Sequence, residues 1–380
     1  MIRAAVRPEL LTWARERAGM ESAGLRRRFP KLGSWESGDA VPTLKQLEQF
    51  AKAVHVPVGY LFLSAPPVEE LPIPDFRLGR ERRQRPSPDL LDTIYMCQGR
   101  QEWYRDFARV SGEPAREFVG SLRVDTPVVR AADTIRQALR FDVDARRNCP
   151  TWTDALRMFI AQAESMGVLV MCSGVVYNNT HRVLDPAEFR GFAIADRFAP
   201  LIFVNGADTK AAQMFTVAHE LGHLFLGKSA LTDATPDARP AGDVESWCDR
   251  VAAELLVPEA VLRREYEPAQ DLASAIQRFA RRFKVSTLVV LRRLLDIDAI
   301  SYAQFRAAYD AELERLLGIE RGSGGNFYLS QAARVSKRFA GALLESTAEG
   351  RTLYRDAMQM LGIAKLETFT EFGRRLHYPV

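Results

Sequence analysis

Residues 215–226 read FTVAHELGHLFL, and in this stretch His219, Glu220 and His223 are the only charged or metal-binding side chains. At about 100° per residue, the two histidines lie one helical turn apart on the same face. Both imidazoles can therefore reach a single ion, with Glu220 beside them. The other positions are apolar nearly all round, which predicts a buried core helix.

The pattern H-E-x-x-H is typical of zinc hydrolases. Two histidines hold Zn²⁺ there, and the glutamate between them takes a proton from a coordinated water. The alternative is an ordinary pair of core histidines. Without a ligand, each would need a hydrogen-bond partner or cost roughly 1–3 kcal/mol. We therefore predict His219 and His223 as metal ligands and Glu220 as the catalytic base.

The residues before the motif support a helix that starts close upstream. Residues 200–205 (PLIFVN) form a short apolar strand pattern that ends at an Asn-Gly pair. Either Asp208 or Thr209 is then suited to cap the N-terminus of the following helix. The sequence thus predicts a strand, a turn and the metal-binding helix in direct succession.

A catalytic zinc needs three protein ligands and one open position. Residues 245–258 (ESWCDRVAAELLVP) are helical by composition and end at a proline. Glu245 and Asp249 share one face of this helix, whereas Glu254 points about 180° away. We predict Glu245 as the third ligand and Asp249 as the carboxylate that orients a histidine. The reverse assignment is the main alternative, and a solvated helix end is the other.

Three stretches together resemble the ImmA/IrrE family of zinc metallopeptidases. They read GVLVMCSGVVYNNTHRVLDPAEFRGFAIADRFAPLIFVNG, FTVAHELGHLFLG and ESWCDRVAAELLVP, within a resemblance that covers roughly residues 70–295. It implies Zn²⁺ held by His219, His223 and Glu245, with Glu220 as the catalytic glutamate. It also implies that the substrate is a DNA-binding repressor of the helix-turn-helix type.

Length and composition set outer limits on the whole chain. A chain of 380 residues predicts two or three domains, and 47% apolar residues suffice for their cores. No apolar run approaches the length of a membrane span, so we expect no membrane partner. The N-terminus does not resemble a signal peptide, so we expect a cytoplasmic location. The four cysteines are scattered singly, which indicates reduced thiols. A net charge of +4 by itself predicts no nucleic-acid partner.

Residues 1–63 are expected to form a small helical domain. The string WESGDAVPTLKQLEQFAKAVHVPVGYLFL resembles the helix-turn-helix domain of XRE (Cro-type) regulators, which implies a recognition helix in the major groove of DNA. Within it, Thr43 is suited to cap a helix over residues 44–54. The sequence departs from that family between Leu25 and Trp35, where Pro30 and Gly33 leave no room for a full recognition helix.

The basic residues of this shortened segment are Arg26, Arg27, Arg28 and Lys31. They can hold phosphates, since charge alone supplies non-specific affinity for DNA. They can equally form a solvated helix face. A degenerate module for protein contact or substrate docking is the interpretation that the short segment favours, with DNA as a possible partner through these four residues as the alternative.

The rest of the chain divides into three regions by pattern. Residues 64–87 are a Pro- and Arg-rich linker, residues 88–300 the metallopeptidase domain, and residues 301–380 a helical extension that contains a Gly-rich hinge at 321–326. Three apolar runs predict a small sheet, with residues 192–195 as the edge strand that pairs with substrate. The candidate oxyanion donors are Tyr177, His181 and Arg190. Arg334, Lys337 and Arg338 are expected on one helical face.

We therefore expect an α+β chain, mainly helical, with a zinc-dependent endopeptidase at its centre. Its substrate is expected to be a repressor or antitoxin protein, so that proteolysis is coupled to transcription or to a stress response. The alternative is a helix-turn-helix regulator or an antitoxin-like binding protein with a structural or vestigial zinc site. An intact Glu220 favours the enzyme, because a structural zinc site has no use for a base.

Overall fold

The computed structural model describes residues 3–20, 22–76, 86–232, 242–317 and 327–378. The chain forms two compact units, one of Met1–Pro72 with Glu81–Asp92 and one of Ile73–Arg80 with Thr93–Val380. The arginines of the expected linker from position 77 to 85 and the Gly-rich hinge at 321–326 lie outside the described residues.

The first unit is a bundle of short helices. They are α1 (Pro8–Arg17), α2 (Ser22–Arg28), α3 (Leu32–Glu36), α4 (Leu44–Ala53) and a 3₁₀ turn (Val58–Phe62). The predicted cap of α4 is present as a reciprocal pair. Thr43 accepts a hydrogen bond from the Gln46 backbone at 3.3 Å, and the Gln46 side chain accepts one from the Thr43 backbone at 2.9 Å. Leucine, phenylalanine and tryptophan side chains from these helices fill its core.

The second unit is mainly helical and surrounds one small sheet, which confirms an α+β fold. Its helices are α5 (Pro88–Val110), α6 (Val128–Leu139), α7 (Val143–Arg147), α8 (Trp152–Ser165), α9 (Lys210–Phe225), α10 (Asp243–Leu256), α11 (Glu259–Glu265), α12 (Leu272–Phe283), α13 (Thr287–Asp296), α14 (Tyr302–Leu317), α15 (Phe327–Val335), α16 (Lys337–Ala348), α17 (Tyr354–Leu361) and α18 (Leu366–Arg375), where the first turn of α5 belongs to the first unit. No helix of the described residues has the length and apolarity to cross a membrane.

The sheet has four strands in the order β1-β3-β2-β4. They are β1 (Leu169–Ser173), β2 (Gly191–Ile194), β3 (Leu201–Asn205) and β4 (Ala230–Thr232). β1 runs parallel to β3, while β2 runs antiparallel to both β3 and β4.

The expectation that residues 192–195 form the edge strand was therefore wrong. The chain leaves α9 through Gly227 at φ 67°, which a residue without a side chain adopts readily, and returns along the free side of β2 as β4. β2 thereby becomes a central strand, buried at all four residues. β4 is an edge of the sheet instead.

Helix α9 lies buried between the sheet, α8 and α10. Its N-terminus is capped by Thr209, whose hydroxyl accepts a hydrogen bond from the Ala212 backbone at 3.2 Å. The approach of α10 depends on Gly222, because a Cβ at that position would meet the Cys248 sulfur at 3.2 Å. This close approach puts the side chains of α10 within reach of the two histidines of α9.

The far end of α10 is held by buried arginines. Three of them donate to backbone carbonyls in or just after its last turn: Arg136, Arg146 and Arg293. The carboxylate of Glu254 pairs with Arg293, on the side of the helix away from the histidines. Since cations favour a helix C-terminus, this arrangement fixes the axis of α10.

The C-terminal helices belong to the second unit, and α15 and α16 pack against β1. Ser336, at φ 71°, interrupts the helix between them. The expectation that Arg334, Lys337 and Arg338 share one helical face was wrong for this reason. Arg334 bonds to Asn178 at 2.9 Å, Arg338 pairs with Glu113 at 2.7 Å, and Lys337 is exposed.

Candidate metal centre

His219, His223 and Glu245 converge on one point in the second unit. The Nε2 atoms of the two histidines are 3.0 Å apart. The Glu245 carboxylate lies 3.2 Å from Nε2 of His219 and 3.1 Å from Nε2 of His223. All three side chains are buried. The structure thus brings together the three residues that the sequence predicts as ligands.

The elements explain this convergence. His219 and His223 project from adjacent turns of α9, and Glu245 projects from the first turn of α10. Because Gly222 and Cys248 bring the two helices close, the short glutamate side chain spans the gap. Burial raises the pKa of the Cys248 thiol well above its usual range, which disfavours the thiolate that binds zinc. Cys248 therefore packs as a small residue.

Asp249 lies behind His219. Its Oδ1 is 2.8 Å from Nδ1 of His219, so that nitrogen carries the proton and donates it to the carboxylate. In the neutral ring, Nε2 of His219 would then present its lone pair to a metal ion next to His223 and Glu245. A ligand histidine usually donates its other ring N–H in this way, which fixes its tautomer and orientation.

Glu220 lies beside the ligands and is fully buried. Its Oε1 accepts a hydrogen bond from the Thr232 hydroxyl of β4. Its Oε2 has no hydrogen-bond partner among the described residues. On the other side, the missing side chain of Gly191 makes room, since a Cβ there would lie 3.2 Å from Oε1. One oxygen is therefore held by β4, while the other is free to accept a proton.

The titration of the four groups follows from burial and from their mutual contacts. Burial raises the pKa of Glu220 to about 8 and lowers the pKa of His223. Burial also disfavours the charged forms of His219 and Glu245, but the hydrogen bonds between these groups have a larger, opposite effect on their pKa values. Contacts with Asp249 and Glu245 raise the pKa of His219 well above its usual range, and the two histidines lower that of Glu245 to about 2.

The residues present fit a divalent metal ion. Ligand atoms about 2.0–2.2 Å from a tetrahedral zinc are about 3.3–3.5 Å apart, close to the 3.0–3.2 Å contacts among the two imidazoles and the two oxygens of the Glu245 carboxylate. Nδ1 of His223 and Oε1 of Glu245 have no hydrogen-bond partner among the described residues. Buried polar atoms of native proteins rarely lack a partner. A bound cation would be the partner of the Glu245 carboxylate oxygen.

Phe76 closes one side of this centre. Its ring stacks on that of His223, with centroids 6.2 Å apart and planes inclined by 26°. The segment that carries it adds to the free edge of β4, where Asp75 and Leu231 form a parallel bridge. Sequence reasoning missed both Phe76 and Thr232, because neither belongs to the motif or to a recognisable strand.

The other candidate residues are an arginine in a salt bridge and several exposed side chains. Arg190 pairs with Asp208 at 3.1 Å, while Tyr177 and His181 are exposed. In the first unit, the four basic residues are all exposed: Arg26, Arg27, Arg28 and Lys31.

Comparison with known proteins agrees with this geometry. Residues 163–295, which contain the three ligand positions, match the model of the IrrE N-terminal-like domain, a peptidase family. Residues 335–375 match a domain of unknown function, DUF8813. The chain is 33% identical over 101 residues to the radiation response metalloprotease IrrE of Deinococcus radiodurans.

That match covers 25% of this chain and 31% of IrrE, so the chain spans about a third of the length of this curated relative. The two matches support the ImmA/IrrE family for this part of the chain. They therefore support a metallopeptidase domain around the cluster of His219, His223 and Glu245.

Proposed function

We propose that this protein is a zinc-dependent endopeptidase that cleaves a DNA-binding repressor or antitoxin protein. The observation that carries the proposal is the convergence of His219, His223 and Glu245 within 3.0–3.2 Å beside the buried Glu220. Two imidazoles and one carboxylate are the donor set of zinc hydrolases that leave a position open for chemistry. A structural zinc site would instead have four protein ligands.

Zinc is the metal we propose, because imidazole suits it and the ligand spacing is tetrahedral. His219 and His223 would hold it through Nε2, and Glu245 through its carboxylate. Asp249 keeps His219 in the tautomer that has a lone pair available. When bound, Zn²⁺ supplies Lewis acidity for the scissile carbonyl and lowers the pKa of a coordinated water.

Glu220 is the proposed general base and acid. Its free Oε2 accepts a proton from the attacking water, while Thr232 holds Oε1 and with it the plane of the carboxylate. Oε2 then gives the proton to the leaving amine as the peptide bond breaks. A pKa near neutrality suits both steps, and burial raises that of Glu220 to about 8. A bound dication would lower this value, since it disfavours protonation.

The substrate class rests on resemblance. The matched relative is named a radiation response metalloprotease, and residues 1–63 resemble a helix-turn-helix module of repressors. Hence we propose that proteolysis by this chain acts on a transcriptional repressor or antitoxin and belongs to a stress response. The four free cysteines support a reducing compartment such as the cytoplasm.

For the first unit we propose contact with a protein partner or with the substrate. Helix α3, at the position of a recognition helix, has five residues, and Leu32 and Trp35 of these are buried. Glu36 is engaged by Arg15 at 2.8 Å. Too few outward groups are left to read several base pairs. Non-specific phosphate binding by the exposed arginines is the alternative, and a mobility-shift titration with duplex DNA tests it.

The competing proposal, a regulator with a vestigial zinc site, makes a different prediction for Glu220. We would co-express candidate repressors with the wild type, with Glu220→Gln, and with Glu117→Gln as an exposed control. Metal content and intact masses of the repressors are then measured. We expect zinc in all three proteins and a cleaved repressor with the wild type and the control only. Should Glu220→Gln retain every cellular effect, the endopeptidase proposal is wrong.

A further inference from the structure

The outer edge of β4 is taken up by the chain itself. The N–H and the carbonyl of Leu231 are directed away from β2. Both are hydrogen-bonded to the segment of residues 73–76. Its N–H donates to the carbonyl of Pro74 at 2.9 Å, and its carbonyl accepts from the N–H of Phe76 at 3.0 Å. Asp75 lies between them, in a parallel bridge.

This edge borders the metal centre. Thr232, the neighbour of Leu231, donates to the Glu220 carboxylate. The Phe76 ring stacks on His223, so the segment reaches from the edge of the sheet to a predicted metal ligand. An extended peptide whose scissile bond faces Glu220 would need the same edge for its backbone, because strand addition uses these outward groups. The N–H and C=O of Leu231 cannot bond to the internal segment and to a substrate peptide at the same time.

We propose that residues 73–76 are an internal competitor of the substrate, and that they leave the edge of β4 before an extended peptide binds. The proposal rests on the endopeptidase function proposed above and names how that site is regulated. The segment occupies the peptide position when no substrate is present, and a bound partner or substrate releases it.

The contacts of the segment suit a competitor that is replaceable. Within the part of the chain that the structure describes, its backbone joins β4 through one bridge and two hydrogen bonds, and Pro74 has no N–H to extend the ladder. Ile73 is buried, whereas Pro74 and Asp75 are exposed. A substrate without proline has additional N–H groups for the same edge, so it can displace the segment.

Two hydroxamates of different length test this with the full-length, zinc-loaded protein. Acetohydroxamate reaches the metal without using the edge. The dipeptide hydroxamate benzyloxycarbonyl-Leu-Leu-hydroxamate needs both the metal and the edge of β4. The apparent Kd for a ligand of the open form is its intrinsic Kd divided by the open fraction, so a larger open fraction tightens binding of the longer probe alone.

We expect Phe76→Ala to tighten the dipeptide hydroxamate about three- to tenfold relative to acetohydroxamate, whose affinity reports any change at His223 itself. Phe76→Pro, which also removes the N–H donated to Leu231, should tighten the dipeptide hydroxamate at least as much. Phe62→Ala, at an exposed phenylalanine of the first unit, is the control and should change neither affinity. Unchanged or weaker binding of the dipeptide probe to both Phe76 variants overturns the proposal.

Hydrogen exchange of the wild-type protein gives a second test that needs no variant. On binding of the dipeptide hydroxamate, the Phe76 N–H should lose protection, while the Leu231 N–H stays protected by its new partner. A Phe76 N–H that stays protected in that complex overturns the competitor. If the zinc-loaded protein binds neither hydroxamate, the proposed function itself fails, which is distinct from a segment that binds permanently.

Discussion

Thr232 donates a hydrogen bond to Oε1 of Glu220, although the two residues lie on different elements, the edge strand β4 and the helix α9. The carboxylate is thus oriented by the sheet as well as by its own helix. Its second oxygen has no hydrogen-bond partner among the described residues, so its capacity to accept a proton is unused.

We predict that Thr232→Val lowers kcat about tenfold and leaves KM within about twofold. The valine keeps the shape but removes the donor, and an unsatisfied buried acceptor costs about 1–3 kcal/mol. Thr232→Ser should restore most of the rate. The measurement is steady-state cleavage of the protein substrate identified by co-expression. A loss in the serine variant with none in the valine variant would mean that the methyl group matters and the hydrogen bond does not.

Asp249→Asn should weaken zinc binding about 10- to 100-fold, because the group that orients His219 is then no longer charged. Competition with a chromophoric chelator measures the affinity. The matched control is Asp243→Asn, an exposed position in the first turn of the same helix. If both variants bind zinc as tightly as the wild type, Asp249 has no influence on the metal.

Removal of the metal should destabilise the second unit. The two histidines and Glu245 are buried together, and a ligand at 100 times its Kd adds about 2.7 kcal/mol to the free energy of unfolding. We expect a chelator to lower the Tm of the wild type and readdition of Zn²⁺ to restore it. In Glu245→Gln the Tm should respond to neither. A Tm of the wild type that is independent of zinc would contradict the site.

Glu164 provides a pH prediction away from the metal. Burial raises its pKa, and this effect exceeds the opposite effect of the Ser336 hydroxyl and the backbone of α16. The protonated form is therefore favoured by folding. Its contribution to stability is fully present below the unfolded pKa of about 4.5 and is lost as the pH rises through the folded value.

Glu164→Gln is neutral at every pH and should escape this loss. We expect the variant to have a higher Tm than the wild type at pH 8 and an equal one at pH 4, in thermal unfolding followed by circular dichroism. Glu345→Gln on α16 is an exposed control that should show no such difference. A constant difference between variant and wild type across this range would rule out titration of Glu164.

The local chemistry of α9 and α10 could be predicted from the sequence. A helix fixes which of its side chains share a face, so the spacing of His219 and His223 and that of Glu245 and Asp249 determined the two pairs. The cap at Thr209 follows equally from neighbours in the chain. What the spacing left open was which carboxylate faces the histidines, and the approach at Gly222 puts Glu245 there.

The sheet could not be predicted to the same degree, because strand pairing joins residues that are distant in the chain. β4 has three residues, too few for a pattern, and it covers the side of β2 that we expected to be free. The roles of Thr232 and Phe76 depend on that pairing. Likewise, the residues around Ser336 read as one continuous helix, whereas Ser336 lies at φ 71° and its hydroxyl donates to Glu164, which is distant in the chain.

Because Gly222 contacts Cys248, the geometry of the metal centre depends on the absence of a single carbon atom at a position that is not a ligand. Any amino acid larger than glycine at position 222 pushes the two helices apart by a few tenths of an ångström. The carboxylate would then be displaced from the imidazoles. A single added methyl group would in this way weaken the metal centre while every residue that touches the reacting atoms stays chemically intact.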